Sequence, residues 1–506
     1  MNELWNTLRG HRTQFSVIIV AEAALSGTEA LLHPLLLKAL FDQAILTGQF
    51  HPFLMLAVCY LLLGFTLNFG GYWLSWWRKR FENTFMLALE MELLDRALDQ
   101  DGRRMAQAGN ASFVSRVHND VREGVLPAVD VCIRVAKQAV ASVVFIGVLL
   151  YLSWQASLIL LVIVPPLVYV SNRFAKRIED NTEPEREAEA QYVNTLTRTL
   201  ESFHALRGLP ALLPGARAAN KTALRSFLGI TFANFRIAQK QSTLSDLVMN
   251  LSDTASMIIG AYFVFAGRMS FGSFLAFVNS LWRAVTGIFD LINMIPQARR
   301  NTAVLKRIAA LRTFGAAPYH NEGPEVLVHA ARVRYGDGAD VAIEDFDLSI
   351  GEHVLLRGPN GCGKTTLLHI ISGVLAPDSG VVTLPPRVAC LTAPVNLPPL
   401  PVRELVADER LRASMGLDGM ADQLPTELSS GQRQRAGIAA LLCEDAEVYL
   451  VDEPFANLDE TGRDMVLRAL KKHTNGCGLL VVHHGDEDLD SQFDRVVTLS
   501  AAVARL

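Results

Sequence analysis

Residues 358–365 read Gly-Pro-Asn-Gly-Cys-Gly-Lys-Thr, and they fit the phosphate-binding pattern G-x-x-x-x-G-K-[ST]. A β-branched and apolar run at 354–356 precedes the segment, and a helix-forming run at 365–371 follows it. Glycines let the backbone turn tightly so that its N–H groups point at phosphate oxygens, and the N-terminus of the following helix adds partial positive charge. The segment therefore predicts a nucleotide-binding P-loop between a strand and a helix.

Two side chains of this loop suit the chemistry of a bound nucleotide. Lys364 can reach the β- and γ-phosphates of ATP, and the Thr365 hydroxyl can hold Mg²⁺. We predict that ATP contacts the whole loop and the first turn of the helix, namely Gly358, Pro359, Asn360, Gly361, Cys362, Gly363, Lys364, Thr365 and Thr366.

Two consecutive carboxylates follow an apolar run at 448–451. Asp452 is predicted to hold Mg²⁺, directly or through water, and Glu453 is predicted to polarise the water that attacks the γ-phosphate. The alternative is an ordinary strand end with solvated acids. The presence of a P-loop in the same chain favours the catalytic interpretation.

The composition separates this chain from soluble enzymes. Of its 506 residues, 50% are hydrophobic and only 19% are charged, whereas soluble domains carry about 25% charged residues. The net charge of −4 argues against a general nucleic-acid binder, which would have a basic excess. The six cysteines are far apart and form no CxxC or Cys/His cluster, so neither a zinc site nor a disulfide framework is indicated.

Long apolar segments occupy the first 300 residues. Most of them reach the roughly 20 residues that cross a bilayer, and runs of this length with so few charges disfavour the alternative of buried helices in a soluble protein. The first segment contains Glu22 and Glu29 and has no small-residue cleavage pattern, so we interpret it as a retained span rather than a signal peptide. The six predicted spans are 15–41, 52–77, 125–153, 155–170, 243–266 and 271–295.

The basic residues indicate the orientation of these spans. The long connections at 78–124 and 173–242 are rich in Arg and Lys, whereas Arg268 is the single Arg or Lys in the short connections. Because basic connections stay in the cytosol, these two long loops and both termini are predicted to be cytosolic.

The remaining sequence predicts a second, soluble domain. Small, polar and Pro/Gly residues at 313–324 predict a linker. After it, short β-branched runs at 326–334, 352–356, 448–451 and 479–482 alternate with helical segments and predict an α/β domain. The predicted fold is therefore a membrane α-helical domain at 1–312, with six spans and long cytosolic extensions, joined to an α/β P-loop NTPase domain at 325–506.

Residues 428–432, Leu-Ser-Ser-Gly-Gln, resemble the Leu-Ser-Gly-Gly-Gln signature of the ATP-binding cassette (ABC) transporter family, and the membrane half resembles its half-size, six-span exporter type. Segment 457–459 resembles the D-loop of the family, and weaker similarities include 41–42 at the end of the first span and 272–277 at the start of the sixth. The resemblance implies that His484 is the switch histidine and that Tyr335 stacks on adenine. It also implies that ATP is bound by the signature residues Ser429, Ser430, Gly431 and Gln432 and by Asp459 of the D-loop.

Two positions depart from the family pattern. The family has a glutamine that links Mg²⁺ to the membrane domain, and a gap-free comparison places Ala393 there. Ser430 replaces a glycine of the signature, and we expect a loss of stability if that position requires a positive φ.

The resemblance implies a dimer, because in the family ATP binds between the P-loop of one domain and the signature of another. One chain has one of each, so a second copy or a sibling half-transporter is expected as partner. The implied function is ATP-driven, Mg²⁺-dependent export of a small amphipathic or cationic, peptide or lipid-like cargo across the cytoplasmic membrane. Two alternatives stay open: an importer of the same architecture, for example for siderophores, and a regulatory ATPase subunit of a heterodimer.

Ionisable residues within two predicted spans raise a hypothesis about the cargo. Glu22, Glu29 and His33 share one helical face, as do the polar residues at 246, 250 and 253. Acidic stripes of this kind would favour a cationic or amphipathic cargo. The alternative is that these residues lie on cytosolic extensions or pair with Arg134, Lys137 or Arg283, for structural reasons.

Overall fold

The computed structural model describes residues 2–47, 50–103, 105, 113–180, 182–313, 320–334, 340–484 and 487–500. The chain divides into two compact units. The first unit consists of Met1–Leu93 and Arg116–Leu311, and the second consists of Leu94–Ser115 and Arg312–Leu506.

The first unit is built from helices. Among the described residues its helices are α1 (Asn2–Thr7), α2 (Arg12–Thr47), α3 (Phe50–Leu98), α4 (Leu126–Asp180), α5 (Thr182–Glu201), α6 (Phe203–Gly208), α7 (Leu213–Phe265) and α8 (Phe271–Thr313). Two π-type turns, Ser115–Asn119 and Val121–Val125, lead into α4, and the 3₁₀ turn Pro210–Leu212 leads into α7.

Five stretches of the described helices are long and apolar enough to cross a membrane. These stretches are Arg12–Gln43, Phe50–Leu98, Ser115–Ile159, Pro210–Phe265 and Phe271–Arg312. They contain four of the six predicted spans completely and the fifth, 243–266, up to its last residue. Helix α3 exposes large apolar side chains along its length, including Phe65, Phe69 and Trp73, as expected of a surface that contacts lipid. The remaining span, 155–170, lies in α4 beyond Ser153, whose φ of −163° and ψ of 99° interrupt the helix; that span stays a prediction.

A carboxylate joins the end of α2 to the start of α8. Asp42 accepts hydrogen bonds from the Ser270 hydroxyl (2.7 Å) and from the Gly272 N–H (2.8 Å). A Cβ at Gly272 would collide with the Lys38 carbonyl and with the Asp42 side chain. The two helix ends can therefore approach this closely only because residue 272 is glycine.

The second unit contains two β-sheets. A parallel sheet has the order β10–β5–β9–β8–β7, and a mostly antiparallel sheet has the order β1–β6–β2–β3 with β4 also paired to β2. The strands are β1 (Asn321–Glu322), β2 (Val326–Arg334), β3 (Asp340–Ala342), β4 (Phe346–Leu348), β5 (His353–Arg357), β6 (Ser379–Leu384), β7 (Val388–Leu391), β8 (Val448–Asp452), β9 (Gly478–Val482) and β10 (Arg495–Thr498). The four strands predicted from sequence correspond to β2, β5, β8 and β9, which confirms the α/β fold class.

Helices cover both faces of the parallel sheet. They are α9 (Lys364–Ile371), α10 (Val402–Leu405), α11 (Glu409–Ser414), α12 (Ser430–Leu442) and α13 (Glu460–His473), with 3₁₀ turns at Asp418–Met420, Pro425–Glu427 and Glu487–Gln492. Leu356 and Leu450 pack with α9 in one apolar cluster, while Leu355 and Val451 belong to a second cluster with α12 and α13. Every residue of β8 and β9 is buried, as expected of strands in a sheet covered on both sides.

Part of the connection between α3 and α4 folds with the second unit. The Gly102 N–H donates to the Val374 carbonyl (2.7 Å), and the Arg103 guanidinium contacts both carboxylate oxygens of Asp378 (2.9 and 2.8 Å) as well as the Ala376 carbonyl (2.8 Å). Although partial burial opposes ionisation, the Arg334 N–H and Arg103 hold the pKa of Asp378 below its usual value.

A bulge in β2 requires a glycine at the facing position of β6, which is Gly380. The register between the two strands shifts between His329 and Arg332, and Ala330 has a φ of 51°. Gly380 lies opposite with a φ of +105°, and a Cβ there would come within 2.7 Å of the Ala330 oxygen and the Ala331 nitrogen. Both backbone conformation and space therefore require glycine.

We predict that Gly380→Ala destabilises the second unit by about 3 kcal/mol, because backbone must move as well as adopt a strained φ. Gly476→Ala is the matched control, since Gly476 also has a positive φ (+81°) but its Cβ would meet nothing within 4 Å. Its cost should be about 1 kcal/mol. Thermal unfolding of the full chain measures both, and equal losses for the two variants would contradict the role of the bulge.

Candidate functional site

The P-loop forms between β5 and α9 as the sequence predicts. Gly358, Gly361 and Gly363 have φ values of +145°, +83° and +101°, which side chains with a Cβ rarely adopt. Gly363 is the N-cap of α9. A Cβ at Gly358 would also lie only 2.7 Å from the Leu499 carbonyl. The loop therefore directs backbone N–H groups and the N-terminus of α9 to one place, which is the geometry of an anion site.

The Lys364 ammonium is held inside the loop. It donates to the carbonyls of Gly358 (2.8 Å) and Pro359 (3.0 Å), and it lies 3.8 Å from the Cys362 sulfur. The lysine is only 7% exposed, so the carbonyls replace the water that it has lost. Thr365, the next residue, is exposed to solvent.

Asp452 ends β8 next to the P-loop. Burial raises the pKa of its carboxyl group, the neighbouring Glu453 raises it further, and the Ala393 N–H, His369 and Lys364 act in the opposite direction. Ala393 thus lies beside Asp452, while its correspondence to the family's glutamine stays a prediction. Its methyl group offers no oxygen to a metal ion, and its backbone N–H hydrogen-bonds the aspartate.

Glu453 adopts an unusual backbone conformation. Its φ is +48°, and its N–H donates to the Val482 carbonyl in β9 (2.9 Å). Gln434, buried in α12, donates to the carbonyls of Glu453 (3.0 Å) and Pro454 (3.3 Å). These bonds from two elements fix the backbone at this strained residue.

Two histidines contact the Glu453 carboxylate. His484 Nε2 lies 3.7 Å from Glu453 Oε1, so the structure brings these two predicted residues together. His483 Nδ1 lies 3.2 Å from the other oxygen, Oε2. His483 is not among the residues predicted from the sequence, although two consecutive histidines after an apolar strand are a visible sign of a functional site.

The signature segment begins α12. The Ser429 hydroxyl accepts a hydrogen bond from the Gln432 N–H (3.3 Å), and the Gln432 side chain accepts one from the Ser429 N–H (2.9 Å). This capping box starts the helix at Ser430. Ser430 therefore has helical conformation and is not among the described residues with positive φ, so the condition for a loss of stability there is not met.

The D-loop segment packs against the signature. A Cβ on Gly431 would come within 2.8 Å of the Asn457 carbonyl, so this position requires glycine. Asp459 is the N-cap of α13 and accepts a hydrogen bond from the Gly462 N–H (2.9 Å). In the described chain none of the hydrogen bonds of the signature residues 429–432 reaches the P-loop. Tyr335, the predicted adenine-stacking residue, lies outside the described residues.

The first of the two predicted polar stripes lines a cavity in the helical unit. Glu22, Glu29 and His33 face a cavity of about 260 Å³ whose other walls come from α3 and from Lys137. Glu29 pairs with Arg283 (3.0 Å) and Glu22 with Arg78 (3.7 Å). The ion pair between Glu29 and Arg283 is one of the structural pairings that the sequence offers as the alternative to a cargo-binding role. The cavity carries charges of both signs.

The sequence patterns of known families match both units. The pattern described as the ABC transporter transmembrane region matches residues 16–288, and the pattern described as ABC transporter matches residues 343–456. The chain belongs to the ABC transporter family. It is a multi-pass membrane protein that couples ATP hydrolysis to transport.

Two relatives that match almost the whole of this ABC transporter chain are lipid A-core flippases by name. An ATP-dependent lipid A-core flippase of Polaromonas sp. (strain JS666) is 23% identical over 98% of this chain and 91% of its own length. The flippase of the same name from Bordetella pertussis is 24% identical over 99% and 87%. An aliphatic sulfonates import ATP-binding protein of Paraburkholderia xenovorans is 35% identical, but over only 38% of this chain.

We predict that Gln434→Met lowers both the stability and the ATPase rate of the transporter. The variant keeps the apolar volume but leaves the buried carbonyls of Glu453 and Pro454 without their donor, which costs about 1–3 kcal/mol. Gln423→Met, on an exposed residue of the same unit, is the control. Thermal unfolding and ATP hydrolysis in lipid nanodiscs measure the effects, and a Gln434→Met variant that matches the control would exclude this role for Gln434.

Proposed function

We propose that the chain works as a homodimer that uses ATP to move a lipid-like, amphipathic molecule outward across the cytoplasmic membrane. The observation that carries this proposal is the similarity of nearly the whole chain to flippases. The exposed apolar surface of α3 beside a polar cavity also suits a cargo with an apolar body and a polar headgroup. In this proposal both termini and the nucleotide-binding unit lie in the cytosol.

The donors around the P-loop fit Mg²⁺–ATP. Mg²⁺ prefers oxygen ligands, and it is held by one or two protein groups together with phosphates and water. Thr365 and Asp452 would supply those oxygens, and the bound ion supplies positive charge that neutralises the phosphates. A metal ion at Asp452 favours the ionised carboxylate over the protonated form that burial otherwise promotes.

The side chains of the site then have separate tasks. Lys364 exchanges the carbonyls of Gly358 and Pro359 for phosphate oxygens, and the backbone N–H groups of the loop bind the remaining ones. Glu453 orients and polarises the attacking water, and His484 contacts the γ-phosphate. Tyr335 stacks on adenine.

The second ATP-binding surface comes from the other copy. Ser429, Ser430, Gly431 and Gln432 begin a capped helix, whose N-terminus suits an anion. Because their hydrogen bonds stay within the segment, we propose that they bind the γ-phosphate of ATP held by the partner's P-loop, together with Asp459. ATP thus favours the closed pair, and hydrolysis removes the bridging contact.

A regulatory subunit in a heterodimer is the second candidate, and Ala393 is the feature that favours it. The methyl group beside Asp452 cannot take the place of an amide oxygen at the metal ion. The similarity to an import ATP-binding protein covers only 38% of this chain, which does not favour import.

We expect the purified chain alone, in lipid nanodiscs, to hydrolyse ATP in a Mg²⁺-dependent manner. Glu453→Gln should lower kcat at least 100-fold, because water activation is lost. In proteoliposomes, the wild type should move a fluorescent lipid between leaflets in an ATP-dependent manner, and Glu453→Gln should move it more slowly. No hydrolysis by the wild type would favour the heterodimeric, regulatory candidate, and hydrolysis without lipid movement would remove lipid as cargo.

A mixed dimer tests whether the site is shared between copies. Lys364→Ala and Ser429→Arg each place one defect in both ATP sites of a homodimer and should abolish hydrolysis. When the two variants are co-assembled, one site holds both defects and the other holds none. We expect the mixture to recover up to half of the wild-type rate per mixed dimer, and no recovery would contradict the shared site.

A further inference from the structure

His483 is a buried polar residue that the proposed reaction scheme does not use. It follows β9 directly and is 6% exposed, whereas the His484 side chain is 43% exposed. A buried imidazole keeps its position only if its polar atoms have partners. The partner of His483 Nδ1 is Glu453 Oε2, at 3.2 Å.

The position of this imidazole is fixed on several sides. Its backbone N–H donates to the Leu356 carbonyl of β5 (3.3 Å). Its ring meets the buried Phe455 ring edge to face, with centroids 5.3 Å apart and an angle of 88° between the planes. His483 is thus anchored both to the strand that leads into the P-loop and to the turn that follows Glu453.

The chemistry of the pair determines which group donates. An ionised carboxylate only accepts hydrogen bonds, so the proton between the two groups is on Nδ1 of the imidazole. With Oε2 engaged by a fixed donor, the carboxylate cannot rotate freely. Oε1 is then the oxygen left for the water: it lies 3.7 Å from His484 Nε2, is buried, and has no hydrogen-bond partner among the described residues.

We propose that His483 is a positioning residue, which holds Glu453 so that Oε1 faces the attacking water. This proposal rests on the proposed role of Glu453. It distinguishes two adjacent histidines: the exposed His484 faces the nucleotide, and the buried His483 acts only through Glu453. A carboxylate that is free to rotate would populate the productive orientation for only part of the time, which lowers kcat and leaves ATP binding unchanged.

The experiment compares His483→Ala, His483→Asn and the wild type in nanodiscs. We expect His483→Ala to lower kcat roughly 10- to 100-fold, the usual effect of losing such a supporting hydrogen bond, with a change in KM for ATP below about twofold. His483→Asn places an amide N–H near the position of Nδ1 and should recover most of kcat. His329→Ala, on an exposed histidine of the same unit, is the matched control.

A second measurement separates positioning from a structural role. In a Glu453→Gln background, His483→Ala should cause no further loss of the residual rate, because both changes disable the same group. A parallel loss of ATP affinity, additive effects, or failure of asparagine to recover kcat would overturn the proposal. If the wild type hydrolyses ATP and Glu453→Gln does not, while His483→Ala equals the wild type, this inference fails and the proposed function stands.

Discussion

The parallel pairing of β5, β9 and β8 is the constraint on which the site depends. Leu356 pairs with Val482, and Val482 pairs with Asp452. The chain therefore leaves all three strands at the same edge of the sheet, although the P-loop, the carboxylates and the two histidines are far apart in sequence. A shift of one residue in this register would turn Asp452 to the opposite face of the sheet and separate it from Lys364.

The sequence was most informative where function depends on local spacing. The P-loop is recognisable because its glycines and its lysine must follow one another within eight residues, and Asp452 is recognisable because it ends an apolar strand. His483 could not be selected in this way, because two adjacent histidines are equivalent in sequence and only the fold buries one of them. The conformation of Ser430 could not be read from the signature pattern for a related reason: the capping box of Ser429 decides where the helix begins.

In the membrane half the sequence predicts spans better than contacts. Apolar length is required by the bilayer itself, so five of the predicted spans correspond to stretches that the structure makes helical. The charges within them depend on partners in other helices. Glu29 and Arg283 are 254 residues apart, and no local pattern connects them. The acidic stripe seen in the sequence is therefore, in the structure, part of a cavity with both acidic and basic groups.

The assignment of residues 94–115 to the second unit means that the chain passes between the two units three times rather than once. A protease that cuts between residues 312 and 320 would leave residues 94–115 on the N-terminal product, so the two products would be joined only by non-covalent contacts such as those of Gly102 and Arg103 with the rest of the second unit. A fragment that begins at residue 325 would lack Gly102 and Arg103, leaving the Val374 carbonyl and Asp378 without those donors. The linker at 313–324 is therefore not a position at which this protein can be divided into two independent parts.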